Sequence, residues 1–268
     1  MGDMTGPVLI FDSGVGGLSV ANSLRLHYPT VSMCYACDNA WLPYGLRDDD
    51  ALAKRIVTVC QAAVDACQAS VLVVACNTAS TLALEGLRQT LMIPVVGTVP
   101  AIKPAALTSK TRHIGLLATT ATVNRPYTQG LIESFASDCL VTKVAADALV
   151  TEAEAWLAGT PLNATRIHQA LQPLWQATQA TPALDTVVLG CTHFPLLKPM
   201  LTTLAPTPLA WVDSGDAIAR RVGQIAKQLA FKASDGRCFT TAPADALIDG
   251  FARYGFLKPQ QLLLPATT

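Results

Sequence analysis

The chain has 268 residues, of which 51% are hydrophobic and 14% charged, so it can bury a large core and is too apolar to be disordered. Nineteen basic residues balance nineteen acidic ones without a basic run, which argues against tight nucleic-acid binding through phosphate neutralisation. The sequence opens on no signal-peptide pattern, and no apolar stretch approaches the roughly 18 residues of a membrane span. We therefore expect a cytoplasmic protein without a membrane partner, whose eight cysteines are mostly free thiols.

Short β-rich runs alternate with longer Ala- and Leu-rich helical stretches. In the first part of the chain the pattern predicts strands at 7–11, 31–37, 71–75 and 93–97, and helices around 17–28, 49–69 and 79–90. The acidic run from Asp48 to Asp50 marks the start of the second helix, because carboxylates stabilise the positive end of the helix dipole.

A second series begins near residue 100. It predicts strands at 113–118, 140–145, 186–190 and 211–215, and helices near 124–136, within 163–179 and near 216–230. Strands that alternate with helices predict an α/β protein with mainly parallel sheets flanked by helices. The apolar runs are nearly continuous, which is typical of strands covered on both faces.

The two series resemble each other at their third strands. Residues 71–79, VLVVACNTA, and residues 186–194, TVVLGCTHF, are both apolar strands followed by a cysteine and a nearby threonine. WVDSGDAIA (211–219) also resembles FDSGVGGLSV (11–20), which indicates that the chain returns to its first half. We therefore predict two pseudo-symmetric lobes with the active site in the cleft between them. Lobe one is expected at 1–99 plus 213–268 and lobe two at 100–212.

The turn FDSGVGG (11–17) has more than one interpretation. It joins a strand to a helix, as a dinucleotide-binding loop does, and Asp38 ends the next strand where a ribose-binding acid would lie. Against a dinucleotide, Ser19 replaces the third glycine and the charge of Asp12 would face a pyrophosphate. The turn could instead be structural, with Asp12 capping the helix. Alternatively, Asp12 and Ser13 project from the carboxyl end of the strand into a cleft.

Most of the cysteines are expected to be packing residues. Cys34 and Cys37 are three apart in a predicted strand, so their side chains point to opposite faces and form neither a redox pair nor a metal site. The remaining packing cysteines are expected at positions 60, 67, 139 and 238.

Cys76 and Cys191 differ because each follows the carboxyl end of a buried strand and precedes a helix or turn. A helix N-terminus stabilises a thiolate, so we expect a lowered pKa. Either cysteine alone would be interpreted as a small buried residue. Because the two cysteines lie at equivalent positions of two similar lobes, a shared functional role is favoured. A metal site at Cys191-x-His193 lacks two further ligands within reach in the sequence.

Two equivalent acid/base groups on opposite sides of a ligand suit inversion of a carbon centre. One thiolate removes an α-proton from one face while the other thiol delivers a proton to the opposite face. No lysine lies in a context that suggests a pyridoxal phosphate aldimine, so the expected chemistry uses no cofactor and no metal.

At this point the sequence resembles the cofactor-independent aspartate/glutamate racemase superfamily. The segments that carry the resemblance are FDSGVGGL (11–18), PYG (43–45), ACNTAS (75–80), PVVGTVPAIKPA (94–105) and GCTHFPLL (190–197). They occur in the family's order and spread over most of the chain.

The resemblance implies a role for each matching position. Cys76 and Cys191 match the catalytic cysteines, and Asp12 and His193 match side chains that assist them. Positions implied to bind the substrate are Asp12, Ser13, Pro43, Tyr44, Gly45, Asn77, Thr78, Thr119, Thr122, Glu152, Thr192 and His193. Around Thr119 the sequence departs from the family, because Ala118 stands in place of a glycine.

The resemblance also implies that the substrate is glutamate, that the D enantiomer supplies peptidoglycan synthesis, and that the protein is a homodimer. Aspartate is the nearest alternative substrate. By the resemblance, however, aspartate racemases have the sequence Gly-Cys-Thr-Glu at this motif, whereas this chain has His193 in place of the Glu. A third possibility is a non-catalytic two-lobed amino-acid binding protein.

Overall fold

The computed structural model describes residues 6–226 and 236–265. Its strands are β1 (Val8–Asp12), β2 (Met33–Cys37), β3 (Val71–Val74), β4 (Val95–Gly97), β5 (His113–Ala118), β6 (Leu140–Ala145), β7 (Thr186–Leu189), β8 (Ala210–Val212), β9 (Cys238–Thr240) and β10 (Gln260–Gln261). Its helices are α1 (Leu18–His27), α2 (Asp49–Cys67), α3 (Asn77–Thr90), α4 (Ile102–Thr108), α5 (Thr120–Asn124), α6 (Pro126–Phe135), α7 (Ala148–Leu157), α8 (Ala164–Ala170), α9 (Gln172–Ala177), α10 (Lys198–Leu204), α11 (Gly215–Ala226) and α12 (Ile248–Arg253). Short 3₁₀ turns lie at Tyr44–Leu46, Phe194–Leu197 and Asp245–Leu247.

The strands form two parallel sheets. Sheet A has the order β10-β9-β2-β1-β3-β4, and sheet B has the order β6-β5-β7-β8. The order β2-β1-β3-β4 in sheet A is repeated as β6-β5-β7-β8 in sheet B, so β3 and β7 occupy equivalent places. The predicted α/β fold with two similar lobes is confirmed.

The chain crosses from one sheet to the other and back. Sheet A uses residues 8–97 and 238–261, and sheet B uses residues 113–212. Ile218 of α11 shares a core with Leu18 of α1, so the last part of the chain packs again on the first lobe. The boundaries 1–99 plus 213–268 and 100–212 stay a prediction. The end of the helix expected to reach residue 230 lies outside the described residues.

Both faces of sheet A are covered by apolar side chains. Neighbouring residues on one strand belong to different cores: Leu9 and Cys34 pack on the side of α2 and α3, whereas Ile10 and Cys37 pack on the side of α1 and α11. All residues of β1, β2, β3, β5 and β7 are buried, as the continuous apolar runs predicted. Strand β6, at the edge of sheet B, is mostly exposed or half-buried.

One long predicted helix is confirmed and another is divided in two. The helix expected near 124–136 is α6, which begins at Pro126, a position where the missing N–H of proline costs nothing. The short helix α5 that precedes it was not predicted. The helix expected within 163–179 is broken at Leu171, and α9 starts with Pro173 in its first turn. Among the described residues, no helix has the length and apolar character needed to span a membrane.

Candidate active site

A cavity of about 450 Å³ lies between the carboxyl ends of the two sheets. Cys76 lies two residues past the end of β3, and Cys191 lies two residues past the end of β7; both line this cavity. The other predicted site residues in its lining are Ser13, Pro43, Tyr44, Gly45, Asn77, Thr78, Thr119, Thr122, Thr192 and His193. The repeated fold therefore brings the two thiols to one cavity from different lobes.

Cys76 is the N-cap residue of α3 and is 8% exposed. Its Sγ lies 3.8 Å from Ser13 Oγ, which donates a hydrogen bond to Asp12 Oδ1 at 3.2 Å. Burial raises the pKa of the Cys76 thiol to about 12, the negative charge of Asp12 raises it too, and the backbone amide of Ala79 lowers it. The expected lowering is therefore wrong for Cys76, because desolvation outweighs the helix N-terminus.

Asp12 is fully buried and lies behind the cavity wall. Its carboxylate accepts hydrogen bonds from Ser13, from the Gly14 amide at 3.1 Å and from Thr192 Oγ1 at 2.8 Å. Burial raises the pKa of Asp12 although the charge of His193 lowers it. Asp12 holds Ser13 and Thr192 in place; it neither caps α1 nor lines the cavity, because the turn buries it beneath both residues.

Cys191 has a different set of neighbours. Its Sγ lies 3.6 Å from His193 Nδ1, and His193 Nε2 lies 2.7 Å from Glu154 Oε1. Because the carboxylate accepts the Nε2 proton, Nδ1 faces the thiol as a proton acceptor. Thiol, imidazole and carboxylate thus form a chain that can take a proton from Cys191.

Two opposing effects determine the pKa of His193. Burial lowers the pKa, but hydrogen bonds to Cys191 and Glu154, together with the charges of these groups, raise it well above 6.5. The net effect favours an imidazolium in a site that is closed to solvent, and this is the state that follows transfer of the Cys191 proton.

The glycines of the 11–17 turn allow lobe two to approach β1 closely. A Cβ at Gly14 would lie 2.0 Å from Glu154 Oε1, and one at Gly16 would lie 2.5 Å from Thr192 Oγ1. The backbone amide of Val15 donates to Glu154 at 2.8 Å. A carboxylate of the protein itself therefore occupies the anion position that the dinucleotide interpretation would assign to a phosphate.

Polar side chains from both lobes line the remaining walls. Asn77 Nδ2 donates to the Gly190 carbonyl at 3.0 Å and so connects the ends of β3 and β7. Thr119 caps α5, and its hydroxyl donates to Thr122 Oγ1 at 3.1 Å. These contacts place hydroxyl and amide groups around the two thiols.

The sequence model of the Asp/Glu/hydantoin racemase family matches residues 19–222, which is well over half of the chain. The chain belongs to this racemase family.

Curated members of the racemase family resemble the chain over most of its length. A glutamate racemase of Shewanella loihica is 46% identical over 244 residues, covering 88% of this chain and 90% of the relative. A glutamate racemase of Shewanella pealeana is 45% identical over 264 residues, covering 95% and 96% respectively.

Solved racemase structures share the fold. Escherichia coli glutamate racemase, in complex with L-glutamate and the activator UDP-MurNAc-Ala, superposes with a TM-score of 0.91 at 39% identity. That comparison covers 97% of this chain and all of the E. coli chain. The RacE1 glutamate racemase of Bacillus anthracis gives a TM-score of 0.81 at 28% identity, with 98% and 99% coverage.

In this racemase, the acidic residue of α7 that contacts the catalytic groups is Glu154 and not the expected Glu152. Glu152 was expected in the cleft, but its carboxylate accepts from the Asn163 amide at 3.0 Å and pairs with Arg166 at 3.1 Å, outside the cavity lining. Glu154, two residues later and so on another side of the helix, contacts His193. No motif marked Glu154; only the exact start and phase of α7 could have identified it.

Proposed function

We propose that the chain is a glutamate racemase that interconverts L- and D-glutamate through two thiols and without a cofactor. The observation that carries the proposal is that Cys76 and Cys191 reach one cavity from equivalent strand ends of two lobes. A hydrolase would need one nucleophile and one base, whereas two matched proton carriers suit inversion at a carbon centre.

In this mechanism the thiolate of one cysteine takes the α-proton, and the two electrons of the C–H bond remain on the substrate carbon. The thiol of the other cysteine then donates its proton to the opposite face of that carbon. Each turnover exchanges the protonation states of the two cysteines, so the reverse reaction starts from the product state. By the family resemblance, we expect Cys76 to deprotonate the D enantiomer and Cys191 the L enantiomer.

Each thiol has its own route for its proton. Cys191 passes its proton to His193 Nδ1, and Glu154 stabilises the imidazolium. Cys76 has Ser13 between its sulfur and the Asp12 carboxylate. A Cys76 thiolate with a raised pKa is a strong base, which suits a weakly acidic C–H bond.

The polar lining is proposed to hold the carboxylate and ammonium groups of the substrate. Asn77 and Thr78 begin α3, where backbone N–H groups favour an anion. Thr192 faces them from lobe two, and Tyr44 and Gly45 close one side. Fixing both ends of the amino acid aligns the α-carbon between the thiols.

Glutamate is preferred over aspartate for two reasons. The curated relatives at 45–46% identity are glutamate racemases. In addition, this chain has His193 at the position where, by the family resemblance, aspartate racemases have a Glu residue. The test is circular dichroism of each glutamate enantiomer with purified protein and no added cofactor. Loss of optical signal from both enantiomers is expected, whereas turnover of aspartate alone would overturn the substrate assignment.

The roles of the two thiols are tested by replacement. Cys76→Ala and Cys191→Ala should each abolish racemisation, whereas Cys139→Ala should retain it, because Cys139 is half-buried like Cys191 but lies outside the cavity lining. Retention of full activity by either of the first two variants would refute the two-base scheme. Binding of glutamate without turnover by the wild-type protein would favour the binding-protein alternative.

The cellular setting is proposed from the same resemblance. None of the eight cysteines, all of which lie in the described part of the chain, is in a disulfide, which fits a reducing compartment such as the cytoplasm. There the enzyme would supply D-glutamate for peptidoglycan. A homodimer is proposed by analogy with the family, and light scattering of the purified protein tests it.

A further inference from the structure

A buried carboxylate lies directly behind one wall of the cavity. The side chain of Asp38 is 0% exposed and accepts two hydrogen bonds from Arg55, at 3.0 and 2.8 Å. Its other partners are Tyr44 Oη at 3.0 Å and Thr241 Oγ1 at 2.6 Å. The resemblance to the racemase family assigned no role to Asp38 or Arg55.

This carboxylate anchors the wall formed by residues 42–46, all of which line the cavity. Tyr44 is the buried member of the wall, at 3% exposure. Its hydroxyl donates to Asp38, and the Asp38 carbonyl accepts from the Trp41 amide just before the wall. Arg55 also stacks on the Trp41 ring, with its Cζ 5.4 Å from the ring centre. The position of the wall therefore depends on its hydrogen bonds to Asp38.

The charge of Asp38 matters as much as its position. Glutamate carries two carboxylates and one ammonium group, so a negative charge one side chain away from its cavity repels it. Arg55 supplies the opposite charge in a two-bond geometry, and its side chain is only 20% exposed, so solvent screens the pair weakly. Arg47 is a further cation on the other side of Trp41, but it is exposed and donates to a backbone carbonyl.

We propose that Arg55 is a positioning residue of the substrate cavity: it cancels the charge of Asp38, so that Asp38 can hold Tyr44 and the 42–46 wall in place without repelling an anionic substrate. The proposal rests on the proposed function in that the ligand is an anionic amino acid. Arg55 does not line the cavity, so it acts on KM and not on proton transfer.

The test compares the variants Arg55→Met, Asp38→Asn and Arg55→Met/Asp38→Asn. Arg55→Met leaves the carboxylate unpaired, and we expect KM for glutamate to rise about tenfold with kcat within about threefold of wild type. In the double variant, the amide that replaces the Asp38 carboxylate can still accept from Tyr44 but carries no charge. The double variant should therefore return KM to within about threefold of wild type, and Asp38→Asn alone should not raise KM.

Arg253→Met is the matched control. Arg253 stacks on Trp156 at the same 5.4 Å but donates to backbone carbonyls instead of a carboxylate, so its KM should match wild type. A double variant with KM as high as that of Arg55→Met, or higher, would overturn the proposal, because a packing role alone predicts that result. If Arg55→Met does not fold, a raised KM in Asp38→Asn would overturn it equally.

Calorimetric titration of glutamate separates this inference from the proposed function. The dissociation constants should place the variants in the same order as the KM values do. Their measurement requires no turnover. Absence of racemisation by the wild-type protein would refute the proposed function alone, whereas a different ranking in a racemising protein would refute the role of Arg55 alone.

Discussion

His193 is held between a thiol and a carboxylate, and this arrangement gives Glu154 a role that no sequence motif indicated. The Glu154 oxygen that contacts His193 Nε2 also accepts from the Val15 amide of the other lobe. It therefore fixes both the tautomer of the imidazole and its position across the cleft. Removing the charge of Glu154 should impair proton transfer at Cys191 more than it impairs binding.

The variant Glu154→Gln tests this role against the sequence-based expectation for Glu152. We expect Glu154→Gln to lower kcat by about 10- to 100-fold, by analogy with the loss of a partner that orients a metal-bound histidine, with a smaller change in KM. Glu152→Gln, on the same helix, should retain kcat, because Glu152 binds Arg166 and the Asn163 amide. Steady-state rates of racemisation, followed by circular dichroism, measure both effects. A larger loss of kcat in Glu152→Gln than in Glu154→Gln would contradict the role of Glu154 and support the one expected for Glu152.

The raised pKa of His193 makes a prediction for stability. A group whose pKa is higher in the folded protein than in the unfolded chain stabilises fully below its unfolded value and loses this contribution as pH rises through the folded value. The free energy of unfolding should therefore contain a His193 contribution that is complete below pH 6.5 and declines above it. Urea unfolding between pH 6 and 9 measures this decline.

Glu154→Gln provides the comparison for the pH experiment. Because the Glu154 hydrogen bond is one cause of the raised pKa, the pH dependence above 6.5 should be shallower in the variant than in wild type. Equal slopes would mean that Glu154 does not stabilise the imidazolium.

At the scale of elements, the turn between β1 and α1 is shaped to receive lobe two. A Cβ at Gly16 would lie 2.6 Å from His193 Nδ1 as well as 2.5 Å from Thr192 Oγ1. Gly16→Ala should therefore displace His193 and lower racemisation by about 100-fold, since small misplacements of catalytic groups are costly.

Gly130→Ala is the matched control for this prediction. Gly130 is exposed within α6, and an added Cβ meets nothing within 4 Å. The substitution should keep full activity and stabilise the protein by about 0.5–1 kcal/mol, the helix-propensity gain of alanine over glycine. Equal activity of the two variants would contradict the close packing proposed around Gly16.

Strands were predicted more reliably than helix boundaries. Parallel strands such as β5 and β6 follow from continuous apolar or β-branched runs, and HIGLLA and LVTKVA were placed at the observed limits, His113–Ala118 and Leu140–Ala145. The break between α8 and α9 depended on a single proline, because Pro173 lies in the first turn of a new helix inside a run predicted as one helix. The elements α4, α5, α7, α10, α12, β9 and β10 were not predicted, because their apolar residues pack in tertiary contacts and show no long periodic pattern in the sequence.

The site could be predicted where a motif lies at a strand end. Cys76 and Cys191 follow β3 and β7, so their position depended only on the strands and on the repeat. Glu154 and Arg55 act from the middle of helices, where only the helix phase and the packing of distant segments decide what a side chain contacts. The pKa of Cys76 was mispredicted for a similar reason, since burial is a property of the whole fold.

For the whole molecule, contacts between the lobes surround the cavity. Asn77 binds the Gly190 carbonyl, and Ser19 Oγ donates to the Thr192 carbonyl at 2.8 Å. Arg125 also pairs with Asp49 through two hydrogen bonds, at 3.0 and 2.9 Å. The two thiols are thus presented to one cavity from different lobes, as a two-base mechanism requires.

The most direct test of this central claim is racemisation in D2O, followed by proton NMR at the α-carbon at early times and started from each enantiomer. If separate thiols serve the two faces, the product should carry deuterium at the α-carbon while the remaining substrate still carries protium. Deuterium entering substrate and product equally, or a product that retains the original proton, would contradict the two-thiol account.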